Sequence, residues 1–159
     1  MDPILKILEE NAQATPELIA DRLNRSVDEV RRQIKQLEDD HVILAYTAII
    51  DGDKAGQDLV SAAIEVKITP EREGGFNRVA ARIAKFDEVK TCYLMSGGYD
   101  LLVIVEGPSL RDVASFVSEK LSSIDGVLST ATRFKLKTYK EQGTLFDSET
   151  VEGRLQITP

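Results

Sequence analysis

The chain has 159 residues, room for one ordinary domain or two small ones. With 42% hydrophobic and 30% charged residues it has the balance of a soluble globular protein, and no apolar run approaches the roughly 20 residues that a membrane helix needs. The net charge is −7, with six Lys and Arg against ten Asp and Glu up to residue 50 and 14 against 17 beyond it. This excludes nucleic-acid binding by bulk positive charge: any DNA contact must rest on a local basic cluster and on dimerisation.

The N-terminus, Met1 to Lys6, lacks a basic segment followed by an apolar one, so no signal peptide is expected. Cys92 is the only cysteine, which rules out an intrachain disulfide and suits a reducing compartment; the cytoplasm is the expected location.

Three short helices are predicted first. Pro3 starts one, with Ile4, Leu5, Ile7 and Leu8 as its apolar face, and Asn11 to Ala14 breaks it. Thr15, Pro16 and Glu17 supply a hydroxyl N-cap, proline at the first helical position and an acid in the first turn. Leu18, Ile19 and Leu23 form the apolar face of this second helix, and Asn24-Arg25 is a turn. Ser26 and Glu29 make a capping box that opens a third helix to about Asp40.

Val27, Val30, Ile34 and Leu37 occupy one sector of the third helix, about 80° wide at 100° per residue. Asp28, Arg31, Arg32 and Lys35 occupy another, about 100° wide. Two helices joined by a tight turn, the second with an outward basic face, form a helix-turn-helix. The candidate DNA contacts are Ser26, Arg31, Arg32, Gln33 and Lys35. Arginine can grip guanine edges or phosphate, lysine suits phosphate, and Gln33 or Gln36 could read adenine. The plainer reading of the same face is a solvated surface, with Asp28 at ion-pair spacing from both arginines. Val42 to Ile50 is expected to form a short wing or connecting strand before the turn at Asp51-Gly52-Asp53.

Asp51 to Asp58 is polar and carries two glycines, a natural joint. Beyond it Ala62, Ile64, Val66 and Ile68 alternate with Ser61, Ala63, Glu65 and Lys67, a strand with two unlike faces. A loop follows over Thr69–Gly75, then a helix with Phe76, Val79, Ala80 and Ile83 inward. Strands are predicted over Lys90–Met95 and Leu101–Val105, around a turn at Ser96-Gly97-Gly98. Ser109 caps another helix, with Leu110, Val113, Val117, Leu121 and Ile124 inward, and Val127–Tyr139 is expected as a long final strand. The order β-α-β-β-α-β is the split βαβ, ferredoxin-like plan: four antiparallel strands with both helices on one face. The bare face of so small a domain is expected to bury itself against a second copy. The whole is thus α+β: a helix-turn-helix DNA-binding domain over 1–50, a linker over 51–59, a βαββαβ domain over 60–140 that is expected to dimerise, and a tail over 141–159.

No catalytic constellation, metal cluster or cofactor motif emerges. The lone His41 is expected at a helix end, Cys92 as an inert strand residue, and Gly97-Gly98 is followed by no phosphate-loop pattern. Gly97, Gly98, Tyr99 and Asp100 could hold a small polar ligand, though a plain hairpin uses the same residues. Thr130 and Thr132 are ordinary strand formers whose hydroxyls could join such a site.

Taken together, Ser26 to Glu38, His41 to Ala48, Ser96 to Asp100 and Gly126 to Thr132 resemble the Lrp/AsnC, or feast/famine, family of transcriptional regulators, over about residues 2–140. The resemblance implies a winged helix-turn-helix followed by a RAM-type domain, sheet-to-sheet dimers often built into octameric rings, and an amino acid or related metabolite as effector. By that likeness Gly97, Gly98, Tyr99, Asp100, Thr130 and Thr132 become effector-site candidates. His41 stands where the family commonly has glycine, and the N-terminal part is more acidic than is usual there. The leading expectation is therefore a non-enzymatic, sequence-specific regulator of double-stranded DNA controlled by a small effector. The alternatives are a metabolite-binding or interaction module with weak DNA binding, and an enzyme like the tetrapyrrole decarboxylases on the same scaffold, which would need histidines that residues 60–140 lack.

Overall fold

The computed structural model describes residues 1–70 and 76–146. The chain divides into two compact units, one ending at Ile49 and the other beginning at Ile50.

The first unit contains α1 (Pro3–Glu10), α2 (Pro16–Leu23) and α3 (Val27–Asp39). Each starts on a side-chain cap: Asp2, Thr15 and Ser26 accept from Ile4, Leu18 and Glu29 amides respectively. The Ser26–Glu29 capping box is complete. Ile4, Ile7, Ala14, Ile19, Ala20 and Val30 form the core, with Leu8, Leu23, Val27 and Ile34 packed around it. Leu18, expected on the inner face of α2, is 45% exposed, and Ala20 is buried instead. In so short a helix the inward sector follows from how its neighbours cross it, which the apolar pattern does not contain.

Val42–Ile50, expected as a wing or connecting strand, forms no strand. A strand needs a hydrogen-bonded neighbour, and no described residue of the chain pairs with this segment. Its side chains are left outward, Leu44 by 84%.

The second unit follows the expected order: β1 (Val60–Ile68), α4 (Asn77–Ile83), β2 (Val89–Leu94), β3 (Leu101–Gly107), α5 (Leu110–Ser115, continuing in π-helical form over Phe116–Leu121) and β4 (Val127–Phe134). The sheet order is β2-β3-β1-β4, antiparallel throughout. Alternate residues of the two central strands face the helices and are buried: Ala62, Ile64, Val66 and Ile68, and Leu101, Val103 and Val105. Val79, Ile83, Val113, Phe116, Leu121 and Ile124 close over them. The expected loop over Thr69–Gly75 lies largely outside the described residues.

Two details differ from the sequence expectation. Leu110, in the first turn, is exposed, and Phe116 is buried, with the π-helical turns over Phe116–Leu121 spacing the next fully buried residue, Leu121, wider than a regular 3.6-residue repeat. The last strand stops at Phe134, not Tyr139. Its neighbour β1 begins at Val60, and the Lys135 amide donating to Ser61 O (2.8 Å) is the last bond available. The chain then forms a small hairpin of β5 (Lys140–Glu141) and β6 (Thr144–Leu145), turning at Gln142 and Gly143 with φ of 44° and 85°. Positive φ at both central positions is the two-residue turn whose twist matches a hairpin. The rest of the expected tail lies outside the described residues.

Candidate functional site

The expected DNA-contacting residues lie on α3. Ser26 is its N-cap, with the hydroxyl and backbone amide both engaged by Glu29. Arg31, Arg32 and Lys35 are exposed along one edge. Each already has an oxygen partner: Arg31 Nη2 meets Glu17 Oε1 of α2 at 2.5 Å, Arg32 Nε donates to Asp28 O at 3.3 Å, and Lys35 Nζ lies 3.2 Å from Asp39 Oδ2. Glu17 is held below the usual carboxylate range, first by its own backbone amide and then by Arg31. Exposed pairs of this kind are worth about 0.2–1 kcal/mol, so a phosphate can displace them.

Gln33 points elsewhere. It is half-buried, donates to Asp2 Oδ2 at 2.5 Å and accepts from Arg25 Nη1 at 3.0 Å. The structure therefore keeps Ser26, Arg31, Arg32 and Lys35 accessible and ties Gln33 into the joint between α1 and α3. Glu17 and Arg25 are legible in the sequence only as a helix-start acid and a turn residue, and the pairing of Glu17, Asp2 and Arg25 with α3 is not, because it depends on how the three helices cross.

Beyond α3 the chain turns at His41. The Val42 amide bonds Leu37 O (2.9 Å), the His41 amide bonds Glu38 O (3.0 Å), and His41 has φ 58°. This is a Schellman ending with histidine at the left-handed position that glycine usually fills. Tyr46 then donates to Glu38 Oε1 at 2.9 Å, bringing the following segment back onto α3.

In the second unit Gly97, Gly98, Tyr99 and Asp100 form the β2–β3 hairpin. Gly97 has φ 121°, which only glycine adopts readily. A Cβ at either glycine would meet no atom within 4 Å, so neither allows a close approach within the chain. Asp100 is bound to β1 twice, its amide donating to Val66 O (3.0 Å) and its Oδ2 accepting from the Ile68 amide (2.8 Å), while its carbonyl closes the hairpin by accepting from the Met95 amide (2.8 Å). Thr130 and Thr132 lie on edge strand β4, opposite Val66 and Ile64. They share the helix-side face with those residues, yet β1 stands between them and the hairpin. Val66 links both, through Asp100 on one side and Thr130 on the other.

The face away from the helices carries Leu102 and Ile104 of β3, Ala63 and Glu65 of β1, Tyr93 of β2, and Ala131 and Arg133 of β4. Arg133 Nε meets Glu65 Oε1 at 3.0 Å, and this bond raises the pKa of the guanidinium, with a smaller electrostatic contribution from Tyr99. A separate cavity of about 310 Å³ lies at the other end of β3, lined by Gly107, Pro108, Val113 and Phe116 and by the Glu88–Lys120 pair. No expected effector residue lines it. Cys92 is half-buried, and burial pushes its thiol pKa up, away from nucleophilic reactivity. Among the described residues no three His, Cys, Asp or Glu side chains are grouped to hold a metal ion, and no helix is long and apolar enough to cross a membrane.

Residues 61–145 match the family model for the Lrp/AsnC ligand-binding domain, and residues 4–43 match a winged helix-turn-helix DNA-binding model. The chain belongs to the Lrp/AsnC family. Among curated Lrp/AsnC-like proteins, an uncharacterised HTH-type transcriptional regulator of Bacillus subtilis, YugG, is 48% identical over 157 residues, 98% of this chain and 95% of that protein. The proline dehydrogenase transcriptional activator of Rhizobium radiobacter is 29% identical over 140 residues, 88% of this chain and 89% of that protein. The solved structure of transcriptional regulator NMB0573 of Neisseria meningitidis in complex with L-Met superposes with a TM-score of 0.70 at 28% identity, covering 91% of this chain and 92% of that one. The DNA-binding match falls on the three-helix unit and the ligand-binding match on the unit that holds the sheet.

Proposed function

We propose that this Lrp/AsnC protein is a sequence-specific, cytoplasmic transcription regulator that binds double-stranded DNA as a dimer or higher assembly under control of a small amino-acid-like effector. The observation that carries this reading is the accessible edge of α3, where Arg31, Arg32 and Lys35 project from a capped helix in a helix-turn-helix. Arg31 and Arg32 are assigned to base edges or phosphate, Lys35 to phosphate, and Ser26 to the backbone beside the helix N-terminus. Gln33 can read a base only by releasing Asp2 and Arg25, which makes it the weakest of the five.

Gly97, Gly98, Tyr99 and Asp100 are assigned to one side of an effector site, with Thr130 and Thr132 on the other side of β1. Asp100 Oδ2 is occupied by the Ile68 amide, so Oδ1 is the oxygen offered to a ligand amino group. The half-exposed apolar surface of Leu102 and Ile104 favours self-association through the open sheet face.

Binding of the chain to DNA upstream of its own coding region, followed by fluorescence anisotropy at several salt concentrations, tests the first assignment. Arg31→Ala and Arg32→Ala should each weaken binding and flatten its salt dependence. Unchanged affinity in both would remove α3 from the interface. The acidic partners of the α3 cations favour one other reading, a metabolite-binding module with weak DNA affinity. Effector-dependent stabilisation with no duplex binding even at low salt would select it.

A further inference from the structure

The α3 cations are not equivalent. Lys35 pairs with an acid of its own helix, and Arg32 donates to a carbonyl of its own helix. Arg31 alone among them reaches across to another helix, to Glu17. Glu17 is the second residue of α2, so its carboxylate lies at the positive end of that helix. Arg31 Nη2 donates to its Oε1 at 2.5 Å, and the start of α2 together with Thr15 further favours its ionised form. In helix-turn-helix docking the first helix of the motif crosses the DNA backbone, and a helix N-terminus is a ready site for a phosphate. The amides at the start of α2 and the Arg31 guanidinium are the donors such a phosphate would seek, and one carboxylate pairs with the guanidinium while lying in the first turn of α2.

We propose that Glu17 is an internal competitor for DNA phosphate, holding Arg31 and the N-terminus of α2 in a self-paired state that DNA must displace. The proposal rests on the reading that the three-helix unit binds DNA. It adds a determinant of affinity outside the recognition helix: DNA binding carries the cost of breaking this pair and of bringing a phosphate to a carboxylate. It also gives the acidic three-helix unit a specific consequence. Glu10, by contrast, pairs with Arg22 at 3.6 Å, and both residues lie outside α3.

The test compares the full-length chain with Glu17→Gln and Glu10→Gln on two labelled duplexes, one from its own upstream region and one of unrelated sequence, across a salt series. Glu17→Gln should tighten binding to both duplexes by about two- to fivefold per three-helix unit at low salt, the equivalent of one exposed ion pair, and the gain should shrink as salt rises. Glu10→Gln removes the same charge and should leave affinity nearly unchanged. In an Arg31→Ala background the Glu17→Gln gain should largely vanish, because the two changes act on one interaction. A Glu17→Gln affinity equal to that of the unmodified chain would overturn the proposal. So would an equal gain from Glu10→Gln, which is a net-charge effect, or a full gain without Arg31. If neither the unmodified chain nor any variant binds either duplex at low salt, the DNA-binding reading itself fails and the proposal falls with it. Circular dichroism melts of each variant report folding independently of binding.

Discussion

At the scale of single residues, His41 shows how much strain one position carries. It ends α3 with φ 58°, a region that costs a non-glycine residue about 1–2 kcal/mol. Glycine would remove that cost and add flexibility to the unfolded chain, so His41→Gly should raise the stability of the first unit by a net of about 0.5–1 kcal/mol in denaturant titration. Ser61 is a second case. It is buried with its hydroxyl unpartnered, so Ser61→Ala should be neutral or stabilising by about 1 kcal/mol, where a surface-like serine would show no gain. Ile64, fully buried between sheet and helices, should behave oppositely: Ile64→Ala should cost about 2–5 kcal/mol through the cavity it leaves.

At the scale of elements, α3 depends on its first turn. Removing the Ser26 cap with Ser26→Ala should destabilise the first unit by about 1 kcal/mol, measured as a lowered urea midpoint. Glu29 is held below the usual carboxylate range by the Ser26 hydroxyl and amide, and Glu17 by its own amide and Arg31. A carboxyl with a depressed folded-state pKa contributes stability that is present above its unfolded pKa and is lost as pH falls through the folded one. The helix-turn-helix should therefore weaken on acidification below the ordinary glutamate range, and Glu29→Gln should blunt that dependence. In the second unit Gly126 leads into β4 with φ 96°, and a Cβ there would lie 3.2 Å from Val79 Cγ2. The turn between helix and strand is thus specified by backbone shape as well as by hydrophobic pattern.

At the scale of the whole molecule, the sheet face away from the helices is the feature that most needs a partner. It presents Leu102, Ile104 and Ala63 beside the Glu65–Arg133 pair. If this face is the interface between copies, Ile104→Lys should leave the fold intact while reducing the molecular mass measured by light scattering to that of one chain. A ligand at the proposed hairpin site should raise the melting temperature, by the equivalent of roughly 2.7 kcal/mol at a hundred times its dissociation constant. Asp100→Ala is an ambiguous probe, because Asp100 Oδ2 also anchors Ile68. Thr130→Val, which exchanges only the hydroxyl of half-buried Thr130 for a methyl group, separates ligand loss from hairpin loss.

Much of this was legible in the sequence because it depends on local repetition. Alternation in Ala62–Ile68, the capping box at Ser26, and the punctuation at Gly97-Gly98 and Gly126 are properties of neighbouring residues, and they sufficed for the order of elements and the family resemblance. Tertiary structure alone decided what depends on partners distant in the chain. It ended β4 at Phe134, where β1 runs out, left Val42–Ile50 without a strand to pair with, and widened the spacing of the inward stripe of the last helix through a π-helical stretch. It drew Gln33 to Asp2, turned Asp100 into an anchor for Ile68, and placed Glu17 on Arg31. Periodicity states which side of an element is apolar, whereas the crossing of helices and the register of strands set which polar groups meet. For that reason the outline of a DNA-binding and ligand-binding chain can be read from residue order, and the competition at Arg31 cannot.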